Sequence, residues 1–141
     1  MSVLGELQPN KVFKYFEEIC SIPHGSRNLQ QISDYLVDFA KAHELKYRQD
    51  EDLNVIIWKD GSKGYEASEP VILQGHMDMV AVKEADCDKD MEKEGLDLEI
   101  NGDYISAKGT SLGGDDGIAV AYTLAVLDDE EMAHPPIEAI F

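Results

Sequence analysis

Apolar residues recur along this chain at two different periods, and the switches between them mark out its elements. From Pro9 to Cys20, Val12, Phe13, Phe16 and Ile19 fall at helical spacing with Tyr15 at one margin, while Glu17 and Glu18 face water. Pro9 suits the first turn of that helix, where a missing N–H costs nothing. A second stripe of Ile32, Tyr35, Leu36, Phe39 and Ala40 predicts a helix over Arg27–His43, with Ser26 as its N-cap. Pro23 and Gly25 break the chain between the two. His24, in that break, could line a pocket but reads first as an ordinary loop histidine.

Strand formers then take over. Lys46–Gln49 and Asn54–Lys59 read as two strands around a turn at Asp50–Asp52, the second carrying Val55-Ile56-Ile57-Trp58. After a glycine-marked loop, Pro70–Gln74 reads as the central, buried strand. It runs straight into Gly75, His76, Met77 and Asp78. Side chains alternate in an extended segment, so His76 and Asp78 are expected on one side and Met77 on the other. Leu98–Ile100 and Tyr104–Ala107, joined at Asn101-Gly102, carry a hairpin signature. Asp116–Leu127 is apolar nearly all round, which predicts a buried helix rather than a surface one. Pro135-Pro136 then turns the chain into a strand starting at Ile137.

Composition bounds what such a chain can do. With 141 residues and 43% hydrophobic content it suffices for one globular domain and its core. The net charge of −17, from 29 acidic against 12 basic residues, disfavours nucleic acid and anionic membrane surfaces as partners. The first residues lack the basic start and apolar stretch of a secretory signal, and no apolar run is long enough to span a bilayer. Together with only two cysteines, Cys20 and Cys87, this predicts reduced thiols and a cytoplasmic location. Asp86, Asp88 and Asp90 evoke a calcium loop, but no glycine follows at the sixth position, so a solvated acidic loop is expected there.

The chemistry concentrates in two clusters. The first is His76 and Asp78, placed where ligand sites form in open α/β sheets, just beyond the carboxyl end of a strand. The second is Gly113-Gly114-Asp115-Asp116-Gly117, at the mouth of the apolar helix. If the two meet in space they can hold metal. Histidine nitrogen with carboxylate oxygen is a zinc donor set, and a short carboxylate at a buried helix mouth is a candidate bridge between two ions. Asp115 and Asp116 could equally be caps favouring the positive end of the helix, and His76 alone could be a half-buried structural histidine.

Three segments together, Gln74–Val80, Ile105–Thr110 and Leu112–Ala119, resemble the cytosolic aminoacyl-histidine dipeptidases. These are part of the di-zinc group that includes peptidase T, carnosinase and the aminoacylases; the Ile-Pro-His-Gly-Ser break, Ile22–Ser26, fits the same pattern. The resemblance implies an α/β fold, a mixed sheet flanked by helices. It implies His76 as a ligand of one zinc, Asp115 as the ligand bridging two, and Asp78 as the catalytic-site carboxylate that orients a ligand imidazole. Relatives of this kind usually carry asparagine after the bridging aspartate, where this chain has Asp116; alignment of the loop assigns the bridge to Asp115.

The same resemblance implies Zn2+, two per intact subunit with Co2+ or Mn2+ as substitutes, a dipeptide substrate such as β-alanyl-histidine, and a homodimer. It also implies that residues 1–141 are the N-terminal part of a catalytic domain, stopping inside the strand that begins at Ile137. A Glu-Glu pair supplying the general base, a later aspartate, a distant histidine and a smaller lid domain would all lie beyond Phe141, and the 141 residues by themselves are expected to be inactive. Two other readings stand beside this one: a non-catalytic metal-binding or interaction module, and an amidohydrolase of the same fold acting on N-acyl amino acids.

Overall fold

The structure, a computed structural model, describes residues 2–141. Helices α1 (Asn10–Cys20) and α2 (Gln30–Ala42) come first, followed by strands β1 (Lys46–Gln49), β2 (Val55–Lys59) and β3 (Val71–Gln74). The hairpin β4 (Leu98–Asn101) and β5 (Tyr104–Ala107), helix α3 (Gly114–Asp128) and strand β6 (Ile137–Ile140) complete the chain. Four strands form one sheet in the order β1-β2-β6-β3. β1, β2 and β6 pair antiparallel, while β3 runs parallel to β6 with Val71 opposite Ile137 and Gln74 opposite Ile140. This is the mixed α/β sheet with packed helices that the sequence predicts.

The core follows from the two periodicities. Val55 and Ile57 of β2 and Ile137 and Ala139 of β6 are buried, and their neighbours are only partly so, as alternation along a strand requires. Ile32, Leu36 and Ala40 from α2 and Val120, Ala121 and Leu124 from α3 fill the same core. α1 lies against α3: Phe16 packs over Gly117, where a Cβ would sit 3.3 Å from its ring, and the buried Tyr15 hydroxyl donates to Asp128 Oδ2 at 2.9 Å. Lys59, from β2, closes the other end of α3 by donating to the carbonyls of Val126 and Asp129.

Four expectations need correcting. Among the described residues β3 is not a central buried strand but lies at the edge of the sheet, hydrogen-bonded to β6 alone, and Ile72 is 60% exposed. An apolar run reports affinity for a covered position; it does not say which neighbours supply the cover. α3 is likewise not buried all round, since Ile118 and Tyr122 face solvent. Finally, α2 begins at Gln30, with Leu29 at its N-cap and no side-chain cap, because Arg27 takes a left-handed φ of 72° that no helix accommodates. The hairpin turn is centred on Gly102 and Asp103, one place beyond the Asn101-Gly102 pair. Asn101 pairs with Tyr104, and glycine takes the first central position with φ 59°, as a type II′ turn demands.

The two cysteines are free and sit in different surroundings. Cys20 is buried at the end of α1, and that burial, with the nearby Glu17 charge, pushes its thiol up to about 12. Cys87 is half-exposed against Gly109. A maleimide at neutral pH should therefore modify Cys87 and leave Cys20 unlabelled until the protein is unfolded, as mass spectrometry of tryptic peptides would report.

Candidate metal centre

The end of β3 and the start of α3 come together through two residues. Gly75 follows the strand, and a Cβ there would lie 3.2 Å from Asp116 Oδ2 and 3.3 Å from the Ala119 Cβ, so its missing side chain lets the strand end close on the helix. The next backbone N–H, that of His76, donates to Asp116 Oδ2 at 3.3 Å. Asp116 is thereby occupied in holding backbone.

His76 then spans the gap between two other carboxylates. Its Nδ1 lies 3.0 Å from Asp78 Oδ1 and 3.1 Å from the Asp78 carbonyl oxygen, and its Nε2 lies 3.0 Å from Asp115 Oδ1. Burial by itself would lower the His76 pKa, but the hydrogen bonds to Asp115 and Asp78 outweigh it and hold the ring above its ordinary value. Asp78 is held below the usual carboxylate range, first by the Ser26 hydroxyl and then by His76. Met77 points away and is buried, the alternation expected from the sequence.

Asp115 owes its position to an irregular helix start. Gly113 has φ 72° and ψ 29°, and Asp115 (φ −91°, ψ 104°) and Asp116 (φ −119°, ψ 25°) depart from helical geometry before α3 becomes regular. The Asp115–Asp116 peptide bond is cis. Among the described residues neither carboxylate accepts a hydrogen bond from an N–H of its own helix, so neither is a cap, although both stand in its first turn, at its positive end. The Asp115 side chain is 95% exposed and turned toward His76, whose side chain is 49% exposed.

These atoms suit a divalent cation. Two donors on one tetrahedral zinc at about 2.0 Å stand roughly 3.3 Å apart, and the Nε2–Oδ1 separation of 3.0 Å differs from that by only a few tenths of an ångström. The second ring nitrogen is already held by a carboxylate, as metal-binding histidines require. Among the described residues no group of three or more His, Cys, Asp or Glu side chains is arranged to hold a metal by itself. His76 and Asp115 thus form a pair of donors rather than a complete cage. A cavity of about 640 Å³, lined in part by Ser26, Arg27, Lys83 and Asp90, includes neither His76 nor Asp115 in its wall. In the acidic loop, Asp90 pairs with Lys93 at 3.1 Å.

Comparison with known proteins finds relatives along the whole length of the chain. Over 140 residues, 99% of its length, the chain is 40% identical to the cytosol non-specific dipeptidase of Escherichia coli K12. It superimposes on aminoacylhistidine dipeptidase from Vibrio alginolyticus with a TM-score of 0.94 and 39% identity over 97% of the chain. Both relatives are dipeptidases. The motif resemblance to aminoacyl-histidine dipeptidases is borne out by these matches. The chain spans 29% of the length of the Escherichia coli protein and 28% of the Vibrio one. A tripeptidase from Staphylococcus aureus (TM-score 0.73, 22% identity, 96% of this chain and 36% of that one) shares the fold. So does an aminopeptidase from Bacillus cereus (TM-score 0.75, 18% identity, 95% and 36%). No protein-family model matches the chain.

Two residues escaped the sequence reading. Ser26, expected as a helix cap, instead donates from Oγ to Asp78 Oδ2 at 2.6 Å. His24, expected as an ordinary loop residue, is buried, with Nδ1 donating to the Ile22 carbonyl at 2.6 Å, and burial holds its pKa down. The signal for Ser26 was its place in the Ile22–Ser26 segment that accompanies the resemblance; nothing local pointed to a partner so distant in sequence.

The turn into α3 gives a direct test. A Cβ at Gly113 would stand 2.9 Å from Met79 Sδ on a left-handed backbone, whereas at Gly114 it would meet nothing within 4 Å. Gly113→Ala should cost at least about 1–2 kcal/mol of stability, and Gly114→Ala less than about 0.5 kcal/mol, as measured by urea unfolding.

Proposed function

We propose that this chain supplies part of the active site of a zinc-dependent dipeptidase that cleaves Xaa-His dipeptides such as β-alanyl-histidine, working in the cytoplasm as a homodimer. The observation that carries the reading is the His76 Nε2–Asp115 Oδ1 pair, backed by Asp78. The similarity to two dipeptidases supports the class of reaction and substrate.

In this reading His76 and Asp115 would hold zinc, Asp115 through its exposed carboxylate. Bound zinc supplies Lewis acidity toward the peptide carbonyl and toward water. The chain's own contribution is orientation. Asp78 accepts the Nδ1–H of His76, so a metal would take the place of the proton that Nε2 shares with Asp115. Asp116 anchors the backbone of His76 and leaves the ligand role to Asp115. The high negative charge repels anionic macromolecules and suits a small substrate.

The test is turnover by the complete gene product. Xaa-His dipeptides should be hydrolysed and N-acyl amino acids should not; chelation should abolish the activity and zinc restore it. His76→Ala and Asp115→Asn should each lower kcat/KM by more than about 100-fold, beyond the cost of losing an outer partner. Asp116→Asn, which keeps an oxygen for the His76 N–H, should retain most of the activity. Activity that survives chelation, or that Asp116→Asn destroys and Asp115→Asn spares, would overturn the assignment. An interaction module would instead keep its function in His76→Ala.

A further inference from the structure

The two carboxylate oxygens of Asp78 have different partners. Oδ1 accepts from His76 Nδ1 at 3.0 Å, and Oδ2 accepts from the Ser26 hydroxyl at 2.6 Å. A hydroxyl donating to an ionised carboxylate at that separation makes one of the stronger neutral-to-charge hydrogen bonds. Ser26 lies in the loop between α1 and α2, and that loop is itself tied to the segment carrying Asp78. The Met79 N–H donates to the His24 carbonyl at 3.0 Å, and the Ser26 N–H donates to the Met79 carbonyl at 3.0 Å. Gly25, paired with Met79 as an isolated bridge, permits the approach: a Cβ there would stand 2.8 Å from the Ala81 Cβ. The backbone of Ser26 is therefore fixed on both sides.

A partly exposed carboxylate with one partner can turn and present either oxygen to it, or exchange that partner for water. Held at Oδ2 by a donor on a fixed backbone, Asp78 keeps Oδ1 aimed at the imidazole. We propose that Ser26 is a positioning residue for the metal centre: it locks the Asp78 carboxylate and, through it, the direction of the His76 Nε2 lone pair. The inference rests on the reading of His76 and Asp115 as zinc ligands. It gives the loop between the first two helices a part in the site that its distance in sequence conceals.

The experiment compares wild type, Ser26→Ala and Ser26→Thr in the complete gene product, with circular dichroism and urea midpoints establishing that all three fold. Zinc affinity is measured by competition with a chromogenic chelator. In the metal-free protein, water exchange of the His76 Nδ1–H is followed by NMR. Ser26→Ala should weaken zinc binding by about tenfold, the lower end of the range for outer partners of a ligand. It should also speed exchange of the Nδ1–H. Ser26→Thr, which keeps the hydroxyl, should restore both. Either readout left unchanged by Ser26→Ala overturns the proposal. Failure of the wild type itself to bind zinc would sink the ligand assignment instead, and the metal role of Ser26 with it.

Discussion

Everything chemical in this chain depends on one close approach, that of the end of β3 to the start of α3. Gly75 has no side chain to hold the two apart, and the Asp116 carboxylate bridges the gap to the His76 backbone. Because both sides are pinned there, two carboxylates far apart in sequence from one another reach opposite nitrogens of one imidazole. The core behind the site makes the approach rigid. α3 is packed through Val120, Ala121 and Leu124, and β3 is held by β6 along its whole length.

The site divides labour among similar groups. Asp78, Asp115 and Asp116 are chemically alike and differ only in what surrounds them. Asp78 is partly sheltered and bonded on both oxygens, Asp116 holds backbone, and Asp115 alone projects into solvent beside a histidine nitrogen. Exposure of that kind costs an aspartate nothing and leaves it free to take a cation. The same contrast is what favours Asp115 over Asp116 as the bridging ligand, a choice that sequence alignment of the loop could make only by position.

Local chemistry was legible in the sequence where one segment decides it. β2 and the hairpin strands follow from strand formers, and Gly102 marks the turn, although its positive φ moves the turn centre one residue from where the Asn101-Gly102 dipeptide suggests. The two clusters of chemistry-bearing residues were also visible, since His76 and Asp78 follow closely on β3 and Asp115 stands at the start of α3. What failed to show was anything set by a partner elsewhere. Ser26 looked like a cap because serine before an apolar stripe usually is one; the left-handed Arg27 prevents that, and the hydroxyl goes to Asp78 instead. The apolar run of β3 promised a central strand because hydropathy is blind to sheet order, and the structure puts it at the edge.

The most direct measurement of the central claim is a crystal of the complete gene product grown with zinc, with anomalous scattering collected on either side of the zinc absorption edge. The account predicts zinc about 2.0–2.2 Å from both His76 Nε2 and an Asp115 carboxylate oxygen, with Asp78 still bonded to Nδ1. Zinc bound elsewhere, or ligated by Asp116 with Asp115 left free in solvent, would contradict it.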